Sequence, residues 1–214
     1  MRIAIDARAL FGQPGGVGAY TRGLLAGFEK IGREHEFVLC SNKTQPEPMP
    51  DFTHLVDPAR LGNLWLQTRL GKGLSRIGAD CFHGTNFLAP LRCPCPTVVT
   101  VHDLTCFLMP QMHTWRNNLV QRLLPSVIRR ANRVIAVSKT TADDLVSTFG
   151  ISREKIRVAP CGVDPIFFCD ADPQKDEAVR EKLMLPKRYV LFVGALEPRK
   201  NIEGLLIAFE EYKS

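Results

Sequence analysis

Three glycines in four positions, Gly15-Gly16-Val17-Gly18, stand between the apolar run Ile3-Ala4-Ile5 and a helix-patterned run reaching about Ile31. Glycine lacks a Cβ, so the backbone can pass close to a ligand and tolerates φ > 0. The start of the following helix offers unpaired N–H groups and the positive end of its dipole. A phosphate suits such a gap, and a plain turn without a ligand accounts for the segment equally well. The spacing meets neither common phosphate motif. Counted from Gly16, G-x-G-x-x-G would end on Thr21, and no Gly-Lys-Ser/Thr follows.

Other polar residues of chemical interest sit just beyond apolar runs. Gly84-Thr85-Asn86 follow Asp80 to His83, His102-Asp103 follow Thr97 to Val101, and Ser138 follows Arg133 to Val137. Each has a plainer reading. His102 can cap a strand end, Asp103 can bind loop N–H groups, and Ser138 can cap a helix. His83 and Asn86 either touch a ligand or hold a loop. Asp6 reads as a residue that positions the glycine loop. No His, Cys and carboxylate cluster has metal-ligand spacing, so no metal is expected.

The elements that must position these residues alternate. Strands are predicted at Arg2–Asp6, Phe37–Cys40, His54–Val56, Asp80–His83, Thr97–Val101, Arg133–Val137 and Lys155–Val158. Helices are predicted at about 17–32, 63–77, 115–130 with Pro125 as a kink, and onward from a Thr140 or Thr141 cap to Gly150. A proline-rich loop carries Pro46, Pro48 and Pro50. The pattern predicts an α/β fold, a Rossmann-like open parallel sheet with helices on both faces. Ligands then bind beyond the carboxyl ends of the strands, where the polar residues above should converge. After Phe168 the chain turns polar, a charged helix reaches about Leu183, and a strand at Tyr189–Val193 leads through a turn to a helix over 201–212. The expected division is a first domain at 1–168, a linker at 169–186, and at 187–214 the incomplete start of a second domain.

The chain has 214 residues, 45% apolar and 23% charged, with a formal charge of +6, enough to build a sizeable core. Basic charge is compatible with phosphorylated small molecules, anionic lipid or nucleic acid, but no basic stretch interleaved with aromatics points to the last. No apolar run approaches the roughly 20 residues of a membrane span. No amino-terminal signal pattern is seen, and with seven scattered cysteines the reading is cytoplasmic, with reduced thiols. Cys93-Pro94-Cys95 is poor zinc spacing, and redox activity of the pair is the alternative to inert thiols. From Leu104 to Ala142 there are Arg116, Arg122, Arg129, Arg130, Arg133 and Lys139 and no acid. With the basic helix around Arg69, this is either an ordinary solvated face or a patch for anionic membrane.

Taken in order, several pieces resemble glycosyltransferase family 4, retaining enzymes with the GT-B architecture of two facing Rossmann-like domains. They are Gly15-Gly16-Val17-Gly18, His102-Asp103-Leu104, Val137-Ser138 with Asp144-Leu145, Ile156 to Asp164 with Phe167, and Val193-Gly194-Ala195-Leu196-Glu197-Pro198-Arg199-Lys200-Asn201. The resemblance covers nearly the whole chain. It implies transfer of a hexose, with mannose the guess, from a nucleotide-diphosphate sugar to a glycan or lipid-linked acceptor, in cell-surface polysaccharide synthesis. By position, Gly15 to Gly18 would face the donor diphosphate and the acceptor. His102 would hydrogen-bond the donor sugar, and Arg199 and Lys200 would neutralise the leaving diphosphate. Tyr20, Asn86, Asp103 and Ser138 become candidates for touching the acceptor. A front-face route, in which the leaving phosphate oxygen helps take the acceptor proton, is the route proposed for the family.

Two departures stand out. Ala195 occupies a place where several members carry arginine, and the family's paired glutamates are not reached before Ser214. The expectation is that these 214 residues alone bind donor weakly and transfer little sugar. The competing readings are a sucrose- or trehalose-type synthase or phosphorylase on the same fold, and a non-catalytic glycan-binding or interaction module.

Overall fold

The computed structural model describes all residues except 12–14, 33, 45–48, 50, 114 and 214, and the side chains of 116–118. The proline loop at Pro46, Pro48 and Pro50 and the Arg116 side chain therefore lie outside the described residues. Seven strands form one parallel sheet: β1 (Arg2–Asp6), β2 (Glu36–Ser41), β3 (Thr53–Val56), β4 (Cys81–Gly84), β5 (Thr97–Val101), β6 (Arg133–Ala136) and β7 (Ile156–Val158). Their order is β3-β2-β1-β4-β5-β6-β7. Winding runs one way from β1 through β3 and the other way from β4 through β7. The carboxyl ends of β1 and β4, paired as Ile5 opposite His83, thus flank the point where the direction switches and a crevice opens.

Strand alternation divides the core in two. Ala4, Val38, Cys40, Phe82, Val99, Val101, Val134 and Ala136 face one side, and Ile5, Phe37 and Leu39 face the other. The first side is covered by α2 (Gly62–Thr68), α3 (Leu70–Arg76), α6 (Leu124–Arg130) and α7 (Lys139–Phe149), which contribute Trp65, Leu66, Leu70, Leu74, Leu124, Ile128 and Leu145. Leu25 of α1 (Gly16–Ile31) packs on the second. Short α4 (Thr105–Leu108) and α5 (Trp115–Gln121) lie between β5 and α6.

The helix expected over 63–77 is two helices, broken at Arg69, whose φ of −114° departs from helical values. Gly71 and Gly73 follow the break, and glycine weakens helical continuity. The helix expected over 115–130 is likewise two. Pro125 sits in the first turn of α6, where its missing N–H costs nothing, rather than at a kink within one helix. Ser138, not Thr140 or Thr141, caps α7. Its Oγ accepts the Thr141 N–H at 3.0 Å, and Gly150 closes the helix at φ 64°.

Beyond β7 come α8 (Pro173–Lys182) and α9 (Ile202–Lys213). No strand forms at Tyr189–Val193. A strand is held by its ladder, and this apolar run has no neighbouring strand to pair with. No described residue after Ile156 is buried, and Leu191, Val193 and Leu196 are exposed.

Candidate functional site

The site is built at the carboxyl ends of β1, β4 and β5. Asp6, the last residue of β1, is 3% exposed. Its two oxygens accept from Arg8 Nε at 2.8 Å and Nη2 at 2.6 Å, a two-pronged pair. Burial opposes the Arg8 charge, but Asp6 outweighs it and raises the Arg8 pKa. Arg8 Nη1 also donates to Asn63 Oδ1 at 2.9 Å, joining the first strand to α2. The Asp6 carbonyl accepts from Thr85 Oγ1 at 2.8 Å, and the Thr85 carbonyl lies 2.9 Å from His102 Nε2. A carbonyl can only accept, so the His102 proton sits on Nε2 and a neutral ring keeps its Nδ1 lone pair. The His102 carbonyl in turn accepts from Thr141 Oγ1 at 3.1 Å.

Tyr20 of α1 sets its ring edge-to-face against His102, with centroids 4.9 Å apart and planes at 87°. The Tyr20 hydroxyl meets Thr100 Oγ1 at 3.0 Å, and the same oxygen meets His83 Nε2 at 2.8 Å. Burial raises the Tyr20 pKa, so the phenol stays neutral. His83 is 5% exposed, and burial lowers its pKa to about 4. It holds Thr100 inside the protein rather than facing the crevice.

A cleft of about 610 Å³ opens over this end of the sheet, lined among others by Arg8, Asn63, Asn86, Asp103, His113 and Arg199. That volume suits a small ligand. Of the residues singled out from sequence, Asp6, Val17, Thr85, Asn86, Asp103 and Arg199 line it. Gly15, Gly16, Gly18, Tyr20, His102, Ser138 and Lys200 are not among its lining. His102 is half-buried and bonded through Nε2 to the carbonyl of Thr85, which does line the cleft. Asp103 accepts from Thr105 N and Oγ1 at 3.0 and 2.7 Å, so it also caps α4. Arg199 Nε donates to Glu197 Oε2 at 2.6 Å, and both residues line the cleft.

The glycines separate by cause. Gly15 is extended, at φ −169° and ψ 169°, so no left-handed turn is needed there. A Cβ on Gly18 would lie 2.8 Å from the Ala9 carbonyl oxygen, so that glycine lets the short 3-10 turn at Arg8–Phe11 pack on α1. A Cβ on Gly16 would meet nothing within 4 Å among the described residues. No side chain caps the start of α1 among the described residues.

Reading the sequence alone missed Arg8, Asn63 and His113. The only signal for Arg8 was a cation two residues beyond the first strand. His113 lines the cleft, and its buried Nε2 has no hydrogen-bond partner among the described residues. Such an atom is costly unless water or a ligand reaches it. No group of three metal-ligating side chains occurs among the described residues, and none of their helices is long and apolar enough to cross a membrane.

The Glycosyltransferase Family 4 model matches residues 14–167. O-antigen chain mannosyltransferase B of Escherichia coli is 29% identical over 133 residues, covering 60% of this chain and 34% of that protein. Among solved structures, Anabaena Alr3699/HepE in complex with UDP-glucose superposes with a TM-score of 0.62 at 17% identity, covering 88% of this chain and 51% of that one. WaaG, a glycosyltransferase involved in lipopolysaccharide biosynthesis, gives a TM-score of 0.65 at 14% identity, with 87% and 52% covered. The chain thus spans about a third of that curated relative and half of those structures. The sheet is the Rossmann-like half of a GT-B fold, and the chain belongs to glycosyltransferase family 4.

Proposed function

We propose that these residues form the acceptor-side half of a retaining glycosyltransferase. It moves a hexose, mannose first among the candidates, from a nucleotide-diphosphate sugar to a glycan or lipid-linked acceptor during cell-surface polysaccharide assembly. The observation that carries this reading is the start of α1. Among the described residues its amide groups have no side-chain cap, a Cβ on Gly16 would meet nothing within 4 Å, and Val17 lines the cleft. A diphosphate is the ligand such a helix start favours. The mannosyltransferase relative and the UDP-glucose complex support the choice of sugar donor over other phosphates.

In this reading His102 offers its Nδ1 lone pair to a donor hydroxyl, with Thr85 holding the ring. Arg199 and Lys200 meet the negative charge that grows on the departing diphosphate. Arg199 must turn from Glu197 or share its donors with the phosphate. The leaving phosphate oxygen takes the acceptor proton, so no protein nucleophile and no metal is required. Residues 1–168 make the acceptor-side domain, 169–186 the link, and 187–214 the beginning of the donor side. The 214 residues alone are expected to bind donor weakly and transfer little.

The test is a panel of nucleotide sugars with the whole two-lobed enzyme, scored by release of nucleotide diphosphate. Release from a GDP- or UDP-hexose that needs the acceptor supports the reading, and it should survive EDTA. Robust transfer by residues 1–214 alone would refute the division of labour. Peripheral membrane attachment at the cytoplasmic face belongs to the same proposal. Leu108, Met109, Met112, Trp115 and Leu119 are exposed beside the cleft, with Arg122, Arg129 and Arg130 exposed close behind in the chain. Co-sedimentation with anionic but not neutral liposomes checks it.

A further inference from the structure

At the opposite end of the sheet from the cleft, the loop entering β5 carries Cys93 and Cys95 with their sulfurs 3.8 Å apart. Both are half-buried, and both line a separate hollow of about 330 Å³ that Arg130 also lines. Cys81, at the start of β4, is a third thiol close enough to interact electrostatically with both. The described residues offer no three-ligand metal site here, so the pair is not explained by zinc. It takes no part in sugar transfer as proposed above.

We propose that Cys93 and Cys95 form a reversible intrachain disulfide by exchange with a low-molecular-weight disulfide. The two sulfurs must close from 3.8 Å to a bond of about 2.05 Å. The two thiols share one S–H···S contact, in which either sulfur can be the donor. That contact draws the Cys93 pKa below its ordinary value and holds Cys95 above its own. Cys93, whose thiol is drawn down by this contact, is therefore the attacking thiolate. Its sulfur attacks one sulfur of the small disulfide. That S–S bond breaks, a mixed disulfide forms on Cys93, and the first small thiolate leaves and takes up a proton. Cys95 then loses its proton and attacks the Cys93 sulfur, expelling the second small thiol. The two protein thiols give up two electrons and two protons, and the small disulfide receives both. A ring this small removes little chain entropy, so the bond is readily reversed by excess thiol.

The test uses protein with Cys161→Ser and Cys169→Ser, which removes the two exposed thiols. It is equilibrated in glutathione buffers of graded ratio, quenched with acid, alkylated and mapped by mass spectrometry. The expected result is that Cys93 and Cys95 lose alkylation together, as one peptide lighter by two hydrogens and free of glutathione, and regain it in dithiothreitol. With Cys95→Ser added, a glutathione adduct should persist on Cys93. Both thiols still alkylated in oxidised glutathione alone would overturn the proposal. So would a lasting adduct on Cys93 while Cys95 is present, or a bridge from either to Cys81.

Discussion

Lowering the pH should destabilise this fold through His83 in particular. The imidazole is buried against Thr100, and burial lowers its pKa from an ordinary 6.5 to about 4. Asp6 pulls the other way and does not offset the burial. Between those two values the unfolded chain binds a proton on this side chain and the folded chain does not. Stability that is fully present above about pH 6.5 therefore drains away as the pH falls towards 4, and the loss levels off below that. A difference of about 2.5 units at about 1.4 kcal/mol each amounts to roughly 3 kcal/mol in full, most of it spent by pH 4.5. Urea unfolding at pH 7.0, 6.0, 5.0 and 4.5 measures the total. The same series on His83→Gln removes this titration and leaves the carboxylates. Going from pH 7.0 to 4.5, wild type should lose roughly 2–3 kcal/mol more than the variant. Two curves that stay parallel would refute the assignment of a neutral, desolvated imidazole.

Asp6→Asn leaves the Arg8 guanidinium in place without its counter-charge, and should cost about 3 kcal/mol in denaturant unfolding. Ser138→Ala removes the cap of α7 and should cost about 1 kcal/mol by the same measurement. Gly18→Ala pushes a methyl against the Ala9 carbonyl and should destabilise by about 1–3 kcal/mol, whereas Gly16→Ala should leave unfolding unchanged. In the whole enzyme, Gly16→Ala should nonetheless reduce nucleotide-sugar turnover; equal rates would remove the helix start from the donor site. His102→Ala should lower kcat about 100-fold with little change in KM.

The sheet was legible because its strands are short runs of Val, Ile and Leu bounded by polar turns. The Thr97–Val101 strand was placed to the residue. The closure of α7 at Gly150 was also legible, since a left-handed glycine ends helices for a local reason. The break at Arg69 was not, because the leucine spacing runs straight through it. Tyr189–Val193 has the composition of a strand, but composition cannot supply a partner. The site divides similarly. Positions just after strands were findable by the rule that α/β ligands sit at carboxyl ends. The contact of Arg8 with Asn63, 55 residues on, exists only once β1 and α2 are brought together. The bond that fixes His102 to Thr85 depends on one backbone carbonyl that no sequence pattern advertises.

The Thr100 hydroxyl has one hydrogen to give and stands between a phenol and an imidazole. Only two complete arrangements exist. When His83 carries its hydrogen on Nε2, Thr100 receives there and points its own at Tyr20, whose O–H is freed to face elsewhere. When His83 carries it on Nδ1, Thr100 points inward and Tyr20 must give its hydrogen to Thr100. A tautomer deep in the core thus decides whether the aromatic neighbour of His102 presents itself outward as a giver or only as a receiver. Orientation at the rim can invert by proton relocation alone, with every heavy atom left where it is.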